Sequence, residues 1–241
     1  MLKPHPKIRS GLIPLAWIYG FGVELRNLLF DNGILKQKEY PIPVICVGNL
    51  TVGGTGKTPH IEYLIRLLHK EYKVAVVSRG YKRKSKSLQV VETISDVNRV
   101  GDEPMQMKLK YPDTTIVVDK DRRNAIEYLL KLDEHKKPDV ILLDDGYQHR
   151  YVKPSLSILL MDSNRPIYED KLLPAGNLRE PLRRKDRAAI VVVTKCGENM
   201  LPIDFRIYAT GLDLFPFQSL YFTGFVYQPL QPVFPYQDKA A

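Results

Sequence analysis

The stretch Val44-Ile45-Cys46-Val47-Gly48-Asn49-Leu50-Thr51-Val52-Gly53-Gly54-Thr55-Gly56-Lys57-Thr58-Pro59 decides the fold class. Val44 to Val47 is a short continuous apolar run after Pro41 and Pro43, the pattern of a strand buried on both faces. A glycine-rich turn follows. Pro59 suits the first turn of a helix, and Ile61, Leu64, Ile65 and Leu68 recur at helical spacing behind it. Strand, glycine turn and helix in that order is the context a phosphate loop needs. Glycines let backbone N–H groups curl around phosphate oxygens, and the helix N-terminus faces the same anion. On this reading Lys57 reaches the β- and γ-phosphates and the Thr58 hydroxyl ligates Mg²⁺. The usual spacing G-x-x-x-x-G-K-[ST] would place a glycine at Thr51; here Gly53 and Gly54 put the flexible positions later. A glycine turn with an incidental Lys-Thr is the plain alternative, and the flanking strand and helix argue against it. The pattern indicates a nucleoside triphosphate site and is silent on the reaction.

Further buried strands are expected at Val74 to Val77, Thr115 to Val118, Val140 to Leu143, Ser157 to Met161 and Ala189 to Val193. Helical spacing over Glu103 to Lys110 and Asp121 to Leu132 separates some of them. Strands alternating with helices predict an α/β domain whose mostly parallel sheet is covered by helices on both faces, as in P-loop NTPases. Asp144-Asp145-Gly146 ends one strand, where a Mg²⁺ partner sits in phosphate-loop enzymes. Asp-Asp-Gly is also good turn chemistry. Two adjacent carboxylates repel, so the economical split gives Asp144 a metal and Asp145 a polar or catalytic task.

The chain has 241 residues, 36 basic against 27 acidic, for a net charge of +9. With 44% hydrophobic and 26% charged residues it has the composition of a folded globular chain rather than a disordered one. Two cysteines, Cys46 and Cys196, exclude a disulfide scaffold and a Cys-rich zinc site. Both read as small buried thiols in a reducing compartment. The basic excess asks for an anionic partner. No helix-turn-helix, RNP-like or zinc-finger pattern is present, so nucleic acid is not expected. No stretch reaches the ~20 apolar residues of a spanning helix. Lys3, Lys7 and Arg9 precede an uncharged run from Ser10 to Val23 without a cleavage site, and the pattern continues through Phe30 as an amphipathic helix. Two readings stay open for it. The helix packs on its own domain, or it lies in a membrane interface with Trp17 and Tyr19 at headgroup depth.

Asp102, in Val100-Gly101-Asp102-Glu103-Pro104, reads as a helix cap or as a general base for an incoming hydroxyl. Three basic clusters fall at loop positions: Arg79 to Lys86, Arg122-Arg123, and Arg179 to Arg187. Charge runs are usually solvated faces, but guanidinium groups suit bidentate phosphate binding, so some of these are expected to line one cleft. His149 reads as a loop hydrogen-bonder. Past Gly197 aromatics and prolines accumulate and no βα unit is expected to complete. The expected organisation is an N-terminal helix region over 1–39, a kinase core over 40–204, and an aromatic, Pro-rich linker over 205–241 into a second domain that is absent or truncated.

Taken in order, six motifs resemble one family. They are Gly48 to Pro59, Ser78-Arg79-Gly80-Tyr81, Gly101-Asp102-Glu103-Pro104, Asp121-Arg122-Arg123, Leu143-Asp144-Asp145-Gly146-Tyr147-Gln148-His149, and Pro174-Ala175-Gly176-Asn177-Leu178-Arg179-Glu180-Pro181. The family is that of the tetraacyldisaccharide 4'-kinases, the lipid A 4'-kinases, whose loop also lacks the first glycine. The resemblance implies Mg-ATP as phosphate donor and the 4'-hydroxyl of an acylated glucosamine disaccharide 1-phosphate as acceptor, giving lipid IVA at the cytoplasmic face of the bacterial inner membrane. Carried over, Thr51, Val52, Gly53, Gly54, Thr55, Gly56, Lys57 and Thr58 form the ATP loop. Thr58 and Asp144 are metal-proximal. Asp102, Asp144, Asp145 and Lys57 make up the catalytic group, with Asp102 at the base position. Tyr81, Arg122, Arg179 and Glu180 match positions near the lipid headgroup. The family pairs its catalytic Asp with a His in a C-terminal Asp-His segment, and none of His5, His60, His69, His135 and His149 lies in one. A chain shorter than its family is therefore expected. The alternatives are an ATPase of the partitioning or iron-protein type, which carries Lys where Val52 stands, and a non-catalytic nucleotide-binding membrane scaffold.

Overall fold

The structure is a computed structural model and describes residues 8–81 and 83–226. Lys3, Lys7, Lys82 and the aromatics from Tyr227 onward lie outside the described residues. The expected strands form as β1 (Val44–Gly48), β2 (Val74–Ser78), β4 (Thr115–Val118), β5 (Val140–Asp144), β6 (Leu156–Asp162) and β7 (Ile190–Thr194). Two further strands, β3 (Gln89–Val90) and β8 (Ser219–Phe222), complete an eight-stranded sheet in the order β3-β4-β2-β5-β1-β6-β7-β8. All described strand pairs are parallel except β3 with β4. Crossover helices follow the phosphate loop as α2 (Lys57–Leu68), precede β4 as α4 (Asp102–Lys110), behind the short α3 (Val97–Val100), and precede β5 as α5 (Arg122–Leu130).

Side chains alternate across the sheet with period two, so each central strand feeds two cores. Val76, Leu142 and Leu160 face one side, where Ile61 and Ile65 of α2 and Met107 of α4 cover them. Val77, Ile141 and Leu143 face the other, under Ile126 and Leu129 of α5. Leu142 is fully buried at the centre of the first layer. Leu142→Ala is expected to cost ~2–5 kcal/mol, because its cavity cannot collapse between fixed strands. A urea midpoint lowered without a change in slope checks this.

The sheet does not stop where the sequence suggested. α6 (Pro202–Leu212) follows β7 and leads into β8, which pairs parallel to β7 over Ile190↔Ser219 to Val193↔Phe222. A βα unit therefore completes across the expected boundary at residue 204. The helix carries no clean apolar stripe: Tyr208 and Leu212 are its buried contacts, against Met161 and Val193, while Ile203, Phe205 and Ile207 are exposed. Of the cysteines, Cys46 is buried, as expected, whereas Cys196 is only half-buried at the end of β7.

The N-terminal run forms α1 (Ile13–Asp31), with its face toward the domain made of Ala16, Gly20, Asn27 and Phe30. Polar bonds hold that seam. Arg150 binds Asp31 at 2.7 Å and the Asn27 carbonyl at 3.0 Å; Arg184 binds Asp31 at 2.8 Å and Glu24 at 2.6 Å. The large apolar side chains point away: Trp17, Ile18 and Phe21 are each at least 70% exposed. No helix among the described residues is long and apolar enough to cross a membrane.

Candidate active site

β1 occupies the position where successive strands stop being added on one side of the sheet and begin on the other, and ligands bind at such a switch point. The loop that leaves it is held from within by Asn49. This fully buried amide donates to the Thr55 hydroxyl at 2.9 Å and the Gly53 carbonyl at 3.4 Å. Gly53 and Gly56 take positive φ of 103° and 85°, which side chains resist. Gly56 in that conformation starts α2 and turns its N-terminus toward the loop. The Pro174–Pro181 motif braces the outer side: Arg179 N–H donates to the Leu50 carbonyl at 2.7 Å and Val52 N–H to the Asn177 carbonyl at 2.9 Å.

Beside the loop opens a cleft of about 1040 Å³ whose wall includes Val52, Gly53, Gly54, Lys57, Tyr81, Arg122, Asp144, Asp145, Arg179 and Glu180. Thr51, Thr55, Gly56 and Thr58 are not in that wall; Thr51 and Thr55 are buried in the loop itself. Asp145 sits at φ 50° with its carboxylate 3.6 Å from Lys57 Nζ and 3.2 Å from an Arg179 guanidinium nitrogen. Burial opposes its ionisation, but Lys57 and Arg179 outweigh it and hold the carboxyl below its usual range. Arg122, almost fully buried, donates to the Asp145 carbonyl at 3.3 Å.

Asp144 behaves oppositely. Burial pushes its carboxyl up to about 6, against a hydrogen bond that Ser78 Oγ donates at 3.0 Å. Its second oxygen, Oδ1, is buried without a hydrogen-bond partner. A buried carboxylate oxygen lacking a donor is what a divalent cation would satisfy, so this strand end fits Mg²⁺. No cluster of three or more His, Cys, Asp or Glu able to hold a metal by itself occurs among the described residues.

Other candidates land differently. Glu103, not Asp102, is in the cleft wall. Asp102 occupies the first position of α4 rather than its cap, which is Gly101; it is exposed and accepts the Glu103 N–H at 3.1 Å. Glu180 lines the cleft, but its oxygens are engaged by Asn27 and Arg187. The basic clusters split. Arg79, Arg122, Arg123 and Arg179 reach the cleft, whereas Arg183 and Arg184 are spent on Glu24 and Asp31 of α1, and Arg83 turns back to the Ser87 and Val118 carbonyls. His149 lies in the wall, its pKa pushed down to about 4 by burial and by Arg122, so it is neutral near pH 7. From α1, Tyr19 donates to the Arg179 carbonyl at 2.8 Å and Arg26 to the Gln148 carbonyl at 3.2 Å. Asn49, Ser78 and Gln148 stood in the sequence only as members of longer motifs, without a role of their own, and Tyr19, read there at headgroup depth, instead turns to the Arg179 carbonyl. The signal available was a polar side chain at the C-terminal end of a buried strand.

A parallel sheet, a glycine loop clamped at a helix N-terminus, and a lysine between that loop and a strand-end carboxylate define a P-loop nucleotide-binding domain. The family model described as tetraacyldisaccharide-1-P 4'-kinase matches residues 8–211, and the chain belongs to that family. Among its relatives, the tetraacyldisaccharide 4'-kinase of Phocaeicola vulgatus is 56% identical over 95% of this chain and 62% of its own length. That of Porphyromonas gingivalis strain W83 is 53% identical over 98% of this chain and 66% of its own. The chain thus spans under two thirds of these relatives' length. A crystal structure of LpxK from Aquifex aeolicus, an "apo" form in complex with ATP, superposes with a TM-score of 0.70 at 34% identity, covering 90% of this chain and 81% of that one.

Proposed function

We propose that the protein transfers the γ-phosphate of ATP to the 4'-hydroxyl of a tetraacyldisaccharide 1-phosphate, an acylated glucosamine disaccharide of the lipid A pathway. The observation that carries this is the meeting of Lys57, Asp144 and Asp145 at one end of a cleft whose remaining wall is rich in arginine. Phosphoryl transfer needs little covalent chemistry from a protein; it needs positioning and charge stabilisation. Lys57, already oriented by Asp145, stays in place for the transferring phosphate's equatorial oxygens. Arg179 is held by the same carboxylate, Arg79 leaves cationic surface for a phosphorylated acceptor, and the buried Arg122 adds positive charge from within the cleft wall. Thr58 and Asp144 would hold Mg²⁺, which would supply positive charge against the phosphates. Asp102 is the proposed base that draws the proton from the acceptor hydroxyl, with Tyr81 and Glu180 beside the sugar headgroup. Labelled γ-phosphate appearing in tetraacyldisaccharide 1-phosphate supports this reading. Binding of ATP without transfer would leave a scaffold, and release of phosphate without acceptor would leave an ATPase.

The same reading makes the acceptor's membrane a partner, at the cytoplasmic face of the bacterial inner membrane. Trp17, Ile18 and Phe21 turn outward while α1 keeps Tyr19, Val23 and Arg26 on the cleft. An apolar strip next to the mouth of a lipid kinase's cleft would place acyl chains and catalytic loop on one plane. Burying each such side chain contributes roughly 1.5–3 kcal/mol. Replacing all three by Ser is expected to lower co-sedimentation with anionic vesicles at least tenfold, at low and at high salt. Equal binding of the two proteins overturns the helix's role.

A further inference from the structure

The cations given a part in the chemistry above, Lys57, Arg79, Arg122 and Arg179, all belong to the cleft wall. A further arginine meets the phosphate loop from the β6 side. The chain leaves β6 through Asp162, Ser163 and Asn164 and sets Arg165 against Gly53. The guanidinium nitrogens Nη1 and Nη2 each stand 3.2 Å from where a Cβ on Gly53 would lie. A side chain at position 53 is therefore opposed twice, by the φ of 103° and by this guanidinium.

The turn that carries Arg165 is fixed. Ser163 Oγ donates to the Lys195 carbonyl at 2.8 Å, and the Asn164 N–H to Asp162 Oδ1 at 3.0 Å. The Arg165 N–H donates to the Asp162 carbonyl at 3.0 Å, and Pro166 and Ile167 behind it are buried. The guanidinium is not fixed in the same way. Among the described residues it makes no hydrogen bond, and its ion pair with Asp162 Oδ2 is 3.6 Å long. Lys195 Nζ holds that same oxygen at 2.7 Å while it donates to the Gly54 carbonyl at 2.6 Å. Burial opposes ionisation of Asp162, but Lys195 and the Asn164 N–H hold its carboxyl below the usual range, with Arg165 adding the least. Asp162 is thus matched by Lys195, and the charge of the half-buried Arg165 is left for another anion.

We propose that Arg165 is a catalytic residue for the phosphoryl transfer, its guanidinium donating past Gly53 to the β–γ bridging oxygen and the γ-phosphate of bound ATP. The N–H groups of a phosphate loop curl around the phosphates, and Gly53 and Gly54 share the cleft wall with Lys57. Only a residue without a Cβ separates that anion from the guanidinium. In the transfer the acceptor oxygen bonds to the γ-phosphorus as its proton passes to the base. The bond from the γ-phosphorus to the bridging oxygen breaks, and its electron pair stays on the β-phosphate of ADP. Negative charge therefore builds on the bridging oxygen. A donor that strengthens as this charge develops lowers the barrier rather than the ground state. Arginines that stabilise such a transition state are worth ~10³–10⁵ in kcat. The planar fork can donate to two phosphate oxygens at once, which a lysine ammonium does poorly.

The inference rests on the phosphoryl-transfer reading, and two measurements on the whole chain separate them. One is transfer of labelled γ-phosphate to tetraacyldisaccharide 1-phosphate. The other compares binding of Mg-ATP with that of Mg-ADP plus aluminium fluoride, a mimic of the transferring phosphoryl group. Arg165→Met keeps a stem against Gly53 without the charge, and Arg165→Lys keeps a charge near Asp162 without the fork. Arg165→Met is expected to lower kcat by ~10³ or more and to weaken the mimic about a hundredfold, with ATP affinity within about threefold of the original. Arg165→Lys is expected to regain at most about tenfold of that kcat loss. A role confined to packing on the loop predicts that Met serves as well as Arg. Near-normal kcat in either variant that melts like the original, or equal weakening of ATP and the mimic, overturns the assignment. If Arg165→Met loses the mimic but the unaltered chain labels no lipid, the acceptor reading falls and Arg165 stands. Failure of the unaltered chain to bind the mimic overturns both.

Discussion

Lys57→Ala is expected to reduce phosphoryl transfer by a factor of ~10²–10³ or more, the usual loss for one charged donor to a developing oxyanion. The structure adds a second consequence. Lys57 and Arg179 together keep the Asp145 carboxyl ionised against its burial. Without Lys57 that carboxylate faces the γ-phosphate with one cation fewer, so like-charge repulsion joins the lost attraction. Affinity for Mg-ATP should fall as well, and steady-state assays with lipid acceptor should show both kcat and kcat/KM lowered. Lys57→Arg should not rescue, because a planar fork cannot replace a compact ammonium 3.6 Å from Asp145. A Lys57→Ala protein with full turnover would remove the phosphate loop from the mechanism.

Asp102→Asn is expected to lower kcat by ~10²–10⁴, the range for a general base, with ATP affinity nearly unchanged. A sugar hydroxyl becomes a competent nucleophile only as its proton is drawn away. The purely structural role of Asp102 is weak here. Gly101 holds the cap of α4, so an exposed Asp102 in the first turn contributes only the ~0.3–1 kcal/mol of a charge near a helix N-terminus. Asn in its place should fold and melt almost as the original does. Glu103→Gln is the companion variant, because Glu103 is the member of this pair that lines the cleft and raises the Asp144 carboxyl further. A base at 102 predicts a deep kcat defect for Asp102→Asn with intact melting. A near-normal kcat would return Asp102 to the helix start and move the base to Asp145.

The motifs legible in the chain are those in which local geometry and chemistry coincide. Gly53, Gly56 and Lys57 could be placed from sequence because a strand, a positive-φ turn and a helix start must follow one another within a few residues. Asp144 and Asp145 could be placed because they end an apolar run, yet their opposite environments could not. Asp144 lies among buried atoms with Ser78 as its donor among the described residues, whereas Asp145 turns toward Lys57 and Arg179, which come from two other segments. Glu180 shows the converse. The motif marked it, but Asn27 of α1 and Arg187 decide what its oxygens touch. The third basic cluster is divided between the cleft and the α1 seam, since Arg179 precedes a 3-10 turn, Leu182–Arg187, that carries Arg183 and Arg184 round to α1.

Sequence by itself determined the parallel α/β class, the phosphate loop and the strand ends that carry acids, because apolar runs, glycine positions and turn residues act over a few neighbours. It also marked the run from Ser10 through Phe30 as a helix with large apolar residues, which forms as α1. Only the tertiary structure decided that Trp17, Ile18 and Phe21 face outward, because that depends on the arginines at 150 and 184 that claim the polar seam. Only it decided that Lys195 belongs to the phosphate loop, 141 residues from the Gly54 carbonyl it binds. Contacts of that separation follow from strand order, and strand order is settled by which edges pair once all the strands exist together.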